Sequence, residues 1–172
     1  MDMRIRQASP SDSGAIFETV RSAFEHAAQS DHDEHHLVER LRDSSAFVPE
    51  LSLVAEQGSR IVGHILFTEI GIAGTTQLAL APLSVIPSMQ GQGIGGRLIR
   101  EGHRIAKNMG YTFSVVLGHA DYYPRFGYRP ASAFGIRAPF DVPDEVFMAR
   151  NLQGTDVRLD GVVVYAPEFG IK

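Results

Sequence analysis

The sequence predicts an α+β fold: a meander of antiparallel strands running into a glycine-rich loop, a helix and a buried strand. Three observations carry this reading. Apolar residues recur at helical spacing near the N-terminus, strand-like runs separated by short turns fill the middle, and four glycines in six residues precede a further helical stretch.

Residues 3–8 alternate and read as a short strand. Ser9-Pro10-Ser11-Asp12 then opens a helix, with a capping residue and an early acid ahead of Ile16, Phe17, Val20 and Phe24. A polar segment, residues 27–33, leads to a second short helix in which Leu37, Val38 and Leu41 share a face, and Pro49 breaks the pattern. Residues 51–56 and 60–72 flank the turn Gln57-Gly58-Ser59, and Ala73-Gly74-Thr75 turns the chain into residues 77–86. After the glycines, Ile94, Leu98, Ile105 and Met109 recur at helical spacing until Asn108-Met109-Gly110 supplies a stop. Residues 112–117 are apolar and β-branched, as a buried strand requires. An aromatic stretch at 121–128 follows, then two further strands at 146–149 and 162–165. No repeat, linker or low-complexity tract divides the chain, so residues 1–172 read as one domain.

Hydrophobic residues at 44% and charged residues at 21% suit a globular chain with a buried core. There is no run of about eighteen apolar residues, and the N-terminal residues lack the apolar stretch of a signal peptide; the expectation is a cytoplasmic protein without a membrane partner. The absence of cysteine excludes disulfides, thiolate nucleophiles and cysteine-ligated zinc. A net charge of −4 argues against nucleic acid as the main partner.

The chemistry shows first at Gln90, Gly91, Gln92, Gly93, Ile94, Gly95 and Gly96. Glycines leave backbone N–H groups unscreened, and a helix N-terminus adds orphan donors and partial positive charge, so the loop suits a phosphate or pyrophosphate. A bare turn would not need four glycines. Gly91, Gly93 and Gly96 also satisfy G-x-G-x-x-G, the dinucleotide-binding pattern. Against that reading, Pro87 to Gln90 separate strand from glycine, and the next strand carries no carboxylate to meet a ribose. No Gly-Lys-Ser/Thr follows, which excludes a P-loop.

Taken as Gln90-x-x-Gly93-x-Gly95, the loop resembles that of the GCN5-related N-acetyltransferase (GNAT) family. Leu83-Ser84-Val85-Ile86-Pro87 before it resembles that family's Leu-x-Val-x-Pro strand end, and Tyr123-Pro124-Arg125-Phe126-Gly127-Tyr128 after it resembles its Tyr-x-x-x-Gly-Phe segment. The Leu-x-Pro-Leu-x-Val strand at residues 80–85 and the Tyr-Tyr-x-Arg-Phe-Gly run at residues 122–127 resemble the form found in predicted acetyltransferases of unassigned substrate. The order of elements matches over nearly the whole chain. The resemblance implies a mixed, mostly antiparallel central sheet with helices on both faces. It implies acetyl-CoA as co-substrate, an amine acceptor on a small molecule or protein, and direct transfer. Leu83, Ser84 and Val85 would hold the acetyl and pantetheine groups, with the Leu83 N–H as an oxyanion donor, and residues 90–96 would wrap the pyrophosphate. Arg97 and Arg100 are further candidates for the phosphates. Tyr123 would protonate the departing thiolate, a role its phenol suits by pKa; Tyr122 is the weaker candidate by spacing.

Two departures stand out. Gly118-His119-Ala120-Asp121 replaces an asparagine-bearing connection, and Ala79 stands where some members carry a glutamate base. Glu69, His64 and His119 are the alternatives for deprotonating an ammonium. The run Asp31-His32-Asp33-Glu34-His35-His36 has the residue types of a metal site but not the spacing, so no metal is expected. Beside the acetyltransferase, a non-catalytic acetyl-CoA-binding module and a dinucleotide-dependent oxidoreductase remain open at this stage, as does the choice between monomer and homodimer.

Overall fold

The computed structural model describes residues 2–27 and 30–171; Ala28 and Gln29 of the polar connection lie outside the described residues. Nine strands occur among these residues: β1 (Met3–Gln7), β2 (Phe47–Gln57), β3 (Arg60–Ile72), β4 (Thr75–Val85), β5 (Phe113–Leu117), β6 (Arg129–Pro130), β7 (Ile136–Arg137), β8 (Phe147–Asn151) and β9 (Gly161–Val162). Seven form one sheet in the order β1-β2-β3-β4-β5-β8-β6, while β7 and β9 pair separately. Every pair in the main sheet is antiparallel except β4–β5, which is parallel.

Helix α3 (Ile94–Asn108) covers one face of the sheet. Its stripe of Ile94, Leu98, Ile99 and Ala106 packs with Leu53, Ile65, Phe67, Leu78 and Val116. Gly102 lets the helix close down, because an added Cβ would stand 2.3 Å from the Phe67 ring. On the other face lie α1 (Ser13–Phe24) and α2 (Glu34–Arg42), whose Ile16, Val20, Val38 and Leu41 meet Val54, Ile61 and Leu66. Beyond them the same face is covered by the C-terminal segment, where Ile136 and Val163 pack on Ala79, Phe113, Val115 and Phe147. Helices therefore flank both faces of a mostly antiparallel sheet.

Local details differ from the sequence reading. Ser9-Pro10-Ser11-Asp12 forms a 3-10 turn, and α1 starts only at Ser13. Asp12 caps by accepting from the Ser9 N–H at 2.7 Å, and Arg6 grips its carboxylate at 2.8 and 3.0 Å, which holds its pKa well below the usual carboxylate range. Pro49 does not end a pattern but lies inside β2. There Phe47 pairs with Thr68 and the next partners are Ser52 and Leu66, so the strand bulges around a residue that has no N–H to give. The last expected strand shrinks to β9 and a single bridge between Val164 and Gly71.

Candidate active site

Strands β4 and β5 pair only at Leu78–Ser114 and Ala79–Val115. Beyond these positions β4 stays with β3 and β5 with β8, so the two parallel strands part toward their C-terminal ends. A β-bulge marks the divergence: Phe67 faces Leu80 and Ile65 faces Leu83, which leaves one extra residue in the Ala81-Pro82 stretch of β4. Backbone direction in the gap follows from one bond. The Ile86 N–H donates to the Val62 carbonyl at 2.9 Å, toward β3. Strand groups alternate, so Ser84 also faces β3, while the N–H and C=O groups of Leu83 and Val85 point into the gap. The Val85 carbonyl accordingly accepts from Gln90 Nε2 at 2.9 Å.

The loop meets this gap at its open end. Gly91 and Gly93 have φ of +77° and +80°, the left-handed region, and nothing among the described residues lies within 4 Å of where their Cβ atoms would stand. Gly93 caps α3, whose first helical bond runs from the Arg97 N–H to the Gly93 carbonyl; the N–H groups of Ile94, Gly95 and Gly96 precede it without helical partners. Gly95 and Gly96 answer a different need. A Cβ on Gly95 would meet the Tyr122 hydroxyl at 2.7 Å, and one on Gly96 would meet Phe126 at 3.1 Å and Arg100 Nη1 at 3.2 Å. The two arginines named from the sequence separate here. Arg97 turns away to the Met3 carbonyl at 3.2 Å, whereas Arg100 lies over the Phe126 ring at 5.0 Å. With Arg125, Arg104, Lys107 and Arg150 it lines a basic groove of about 490 Å³ beside the helix.

Tyr123 starts the 3-10 turn Tyr123–Phe126 and is buried in the core on the α3 side of the sheet, a cluster that also holds Val116 and against which Leu83 and Val85 pack. Its ring rests on Gly118, where any Cβ would stand 2.3 Å from it. Burial raises its pKa, so the phenol stays protonated at neutral pH. Tyr122 is only half-buried and crosses the Tyr123 ring at 85° with its hydroxyl over the first turn of α3. The loop, the strand end and the tyrosine turn, far apart in the chain, meet at Gly95, where a Cβ would stand 2.7 Å from the Tyr122 hydroxyl and 3.5 Å from Leu83 Cδ2.

A protein-family model for the acetyltransferase (GNAT) domain matches residues 49–130. The uncharacterised N-acetyltransferase YjhQ of Escherichia coli is 40% identical over 159 residues, covering 88% of this chain and 85% of the relative. This chain belongs to the GNAT acetyltransferase family. Among solved structures, a GNAT acetyltransferase from Brucella melitensis in complex with acetyl-CoA superposes with a TM-score of 0.83 at 34% identity, over 98% of each chain. YhbS of Escherichia coli, in complex with CoA, gives 0.86 at 28% identity over 98% of this chain and 92% of its own. The match decides against the dinucleotide-binding reading of the loop.

Within this GNAT domain the candidate bases fare unequally. Glu69 accepts from the Tyr111 hydroxyl at 2.6 Å and sits opposite Leu78, at the closed end of the gap. His64 is fully buried on the α1/α2 face, where burial, then Arg42, lowers its pKa to about 3. Its Nε2 meets Ser52 Oγ at 3.3 Å, and its Nδ1 has no partner among the described residues. His119 is exposed at the open end of β5, and its carbonyl accepts from the N–H groups of Tyr122 and Tyr123. In the acid–histidine run each contact is local. His35 and His36 pack edgewise on Phe17, Asp33 pairs with Arg40 at 3.0 Å, and Glu34 accepts from Ser30. Sequence reasoning missed Gly118 as the seat of Tyr123, and it missed a buried chain of His103, Tyr128, Ser114 and Arg150 behind it. One signal was present: Tyr128 stands where the family pattern has phenylalanine.

Proposed function

We propose that this chain binds acetyl-CoA along the β4–β5 gap and transfers its acetyl group directly to an amine. The observation that carries the reading is the unpaired edge of β4. Leu83 points its N–H and C=O and Val85 its N–H into the gap, beside a helix N-terminus whose first donors have no partner among the described residues. A pantetheine arm carries amides of matching spacing, and a pyrophosphate suits the N–H groups of Ile94, Gly95 and Gly96 at the left-handed glycines. The relatives solved with acetyl-CoA and with CoA support the choice of ligand. Arg100 and Arg125, flanking the loop, then face the CoA phosphates.

The amine, freed of its extra proton, attacks the thioester carbon. The carbonyl oxygen becomes an oxyanion and accepts from the Leu83 N–H, which is fixed before the reaction begins. As the carbon–sulfur bond breaks, the thiolate takes a proton from the Tyr123 hydroxyl, and the tyrosinate regains one from the nitrogen through solvent. Burial weakens the phenol as an acid, but it also makes the nearby thiolate more basic, so the pair stays matched.

A thermal melt tests the ligand. At a hundredfold excess over its Kd, acetyl-CoA adds about 2.7 kcal/mol, a rise of about 5–10 °C for a chain of this size. NAD at the same concentration leaves the melt unmoved. A rise with NAD and none with acetyl-CoA would sink the reading.

A further inference from the structure

Behind Tyr123 lies a polar chain whose first two links have their direction settled by donor chemistry. Arg150 only donates, so its Nη1 contact with His103 Nδ1 at 2.9 Å makes that nitrogen the acceptor. The imidazole proton therefore sits on Nε2 and donates to the Tyr128 oxygen at 2.9 Å. The Tyr128 and Ser114 hydroxyls share a hydrogen bond at 2.8 Å in which either can donate. His103, Tyr128 and Ser114 are buried, and a buried chain of paired polar groups holds its members in place.

The chain is anchored to the tyrosine turn at two places. Arg150 Nη1 also donates to the Phe126 carbonyl at 2.7 Å, the last residue of the turn that Tyr123 begins. Next to it Gly127 has φ of +88°, and a Cβ there would stand 3.0 Å from Arg150 Nε, so the guanidinium lies flat over the glycine. The Tyr128 ring in turn stands against Tyr123, centroids 5.7 Å apart at 81°. Gly118 beneath, Tyr128 behind and the clamped turn leave the Tyr123 ring one seat.

We propose that Arg150 and Tyr128, joined through His103, are positioning residues that aim the Tyr123 hydroxyl at the acetyl-CoA sulfur. The inference rests on the reading of Tyr123 as the acid, and the test separates the two. Tyr128→Phe, Arg150→Gln and Tyr123→Phe are made singly, and each of the first two is combined with the third. Thiol release from acetyl-CoA is followed with water as the acceptor. Each positioning variant lowers kcat about tenfold to a hundredfold, the scale of a small misplacement, and Tyr128→Phe, which removes no charge from the basic groove, leaves KM for acetyl-CoA within about twofold. Combined with Tyr123→Phe, neither slows the reaction further, because no hydroxyl remains to misplace. Unchanged kcat in both single variants, or losses that multiply in the double variants, overturns the positioning role. Wild-type kcat in Tyr123→Phe alone overturns the acid itself. A second readout needs no turnover: in protein labelled with 3-fluorotyrosine, Arg150→Gln shifts and broadens the Tyr123 fluorine resonance and leaves that of Tyr165 in place. A Tyr123 resonance that stays put in this variant also overturns the proposal.

Discussion

His64 and His103 are both buried, one on each face of the sheet, and they live under opposite terms. Burial depresses the pKa of each to about 3, with Arg42 adding to the effect on the first and Arg150 on the second. His103 uses both nitrogens, accepting from Arg150 and donating to Tyr128. His64 uses one, toward Ser52, and leaves Nδ1 bare. The contrast extends to their surroundings. The buried side-chain atoms without partners among the described residues are His64 Nδ1, Thr68 Oγ1 and Ser84 Oγ, all on β3 and β4. His64 and Ser84 face each other across the register, and Thr68 shares their side of β3. The α3 side is thus saturated and rigid under the tyrosine turn, whereas the α1/α2 side keeps spare hydrogen-bonding capacity. A satisfied network loses much when cut; an unsatisfied one does not.

His103→Leu is the sharpest way to break the comparison. The substitution keeps an apolar side chain of similar bulk but leaves the Arg150 guanidinium without its acceptor and the Tyr128 oxygen without its donor. Two stranded polar groups at about 1–3 kcal/mol each, with the guanidinium partly rehydrated, give a loss of about 3 kcal/mol. Urea unfolding at pH 7.5 reads it directly as a lower midpoint at constant slope. A change under about 1 kcal/mol would mean that the chain through His103 contributes little.

Acid tests both histidines together, and the sign follows from linkage. Each is neutral in the native state down to about pH 3 but binds a proton near pH 6.5 once unfolded. The unfolded chain therefore holds up to two more protons between these limits, and stability falls as pH drops below 6.5. From pH 7.5 to 5.5 the loss is about 1.4 kcal/mol for each histidine, about 2.7 kcal/mol in all. The Asp12 carboxylate, depressed by its hydrogen bonds to Arg6, loses its contribution only at lower pH and does not enter this window. Unfolding measured at both pH values checks the sum, and His103→Leu should show about half of it.

Much of this molecule was readable before any coordinates. Periodicity located α1, α2, α3 and the meander because each buries a full face, and the glycine loop announced itself because left-handed backbone and exposed N–H groups have few other solutions. The motif at residues 80–85 pointed to the gap, and Pro82, which has no ladder donor, already suited a bulge there; the pairing with β3 places that bulge between Leu80 and Leu83. What escaped was contact between distant segments. Nothing local tells that Arg97 turns to β1 while Arg100 flanks the loop, or that Gly118 is small because Tyr123 rests on it. The same holds for Glu69, a plausible base in sequence that is occupied by Tyr111 across the fold. Pairwise spacing along a chain carries no information on which side chains a turn forty residues away will meet.

His64→Leu should have the smallest effect, and its size tests the comparison most closely. The substitution strands one group, the Ser52 hydroxyl, which is buried and has only the imidazole at 3.3 Å as a partner. It also removes an unpaired Nδ1 whose desolvation the fold already bears. The two terms are of similar size and opposite sign, each about 1–3 kcal/mol, so the net change in stability at pH 7.5 falls within about 1 kcal/mol of zero. At pH 5.5 the balance tips. The wild-type chain is penalised there by about 1.4 kcal/mol for keeping His64 neutral, and the variant is not, so between pH 7.5 and 5.5 the variant should lose about 1.4 kcal/mol less than wild type. Paired urea melts at the two pH values measure that crossing. A loss at pH 7.5 as large as that of His103→Leu would show that His64 Nδ1 is engaged after all, most simply by an ordered water shared with Ser84, and the contrast between the two faces would fall.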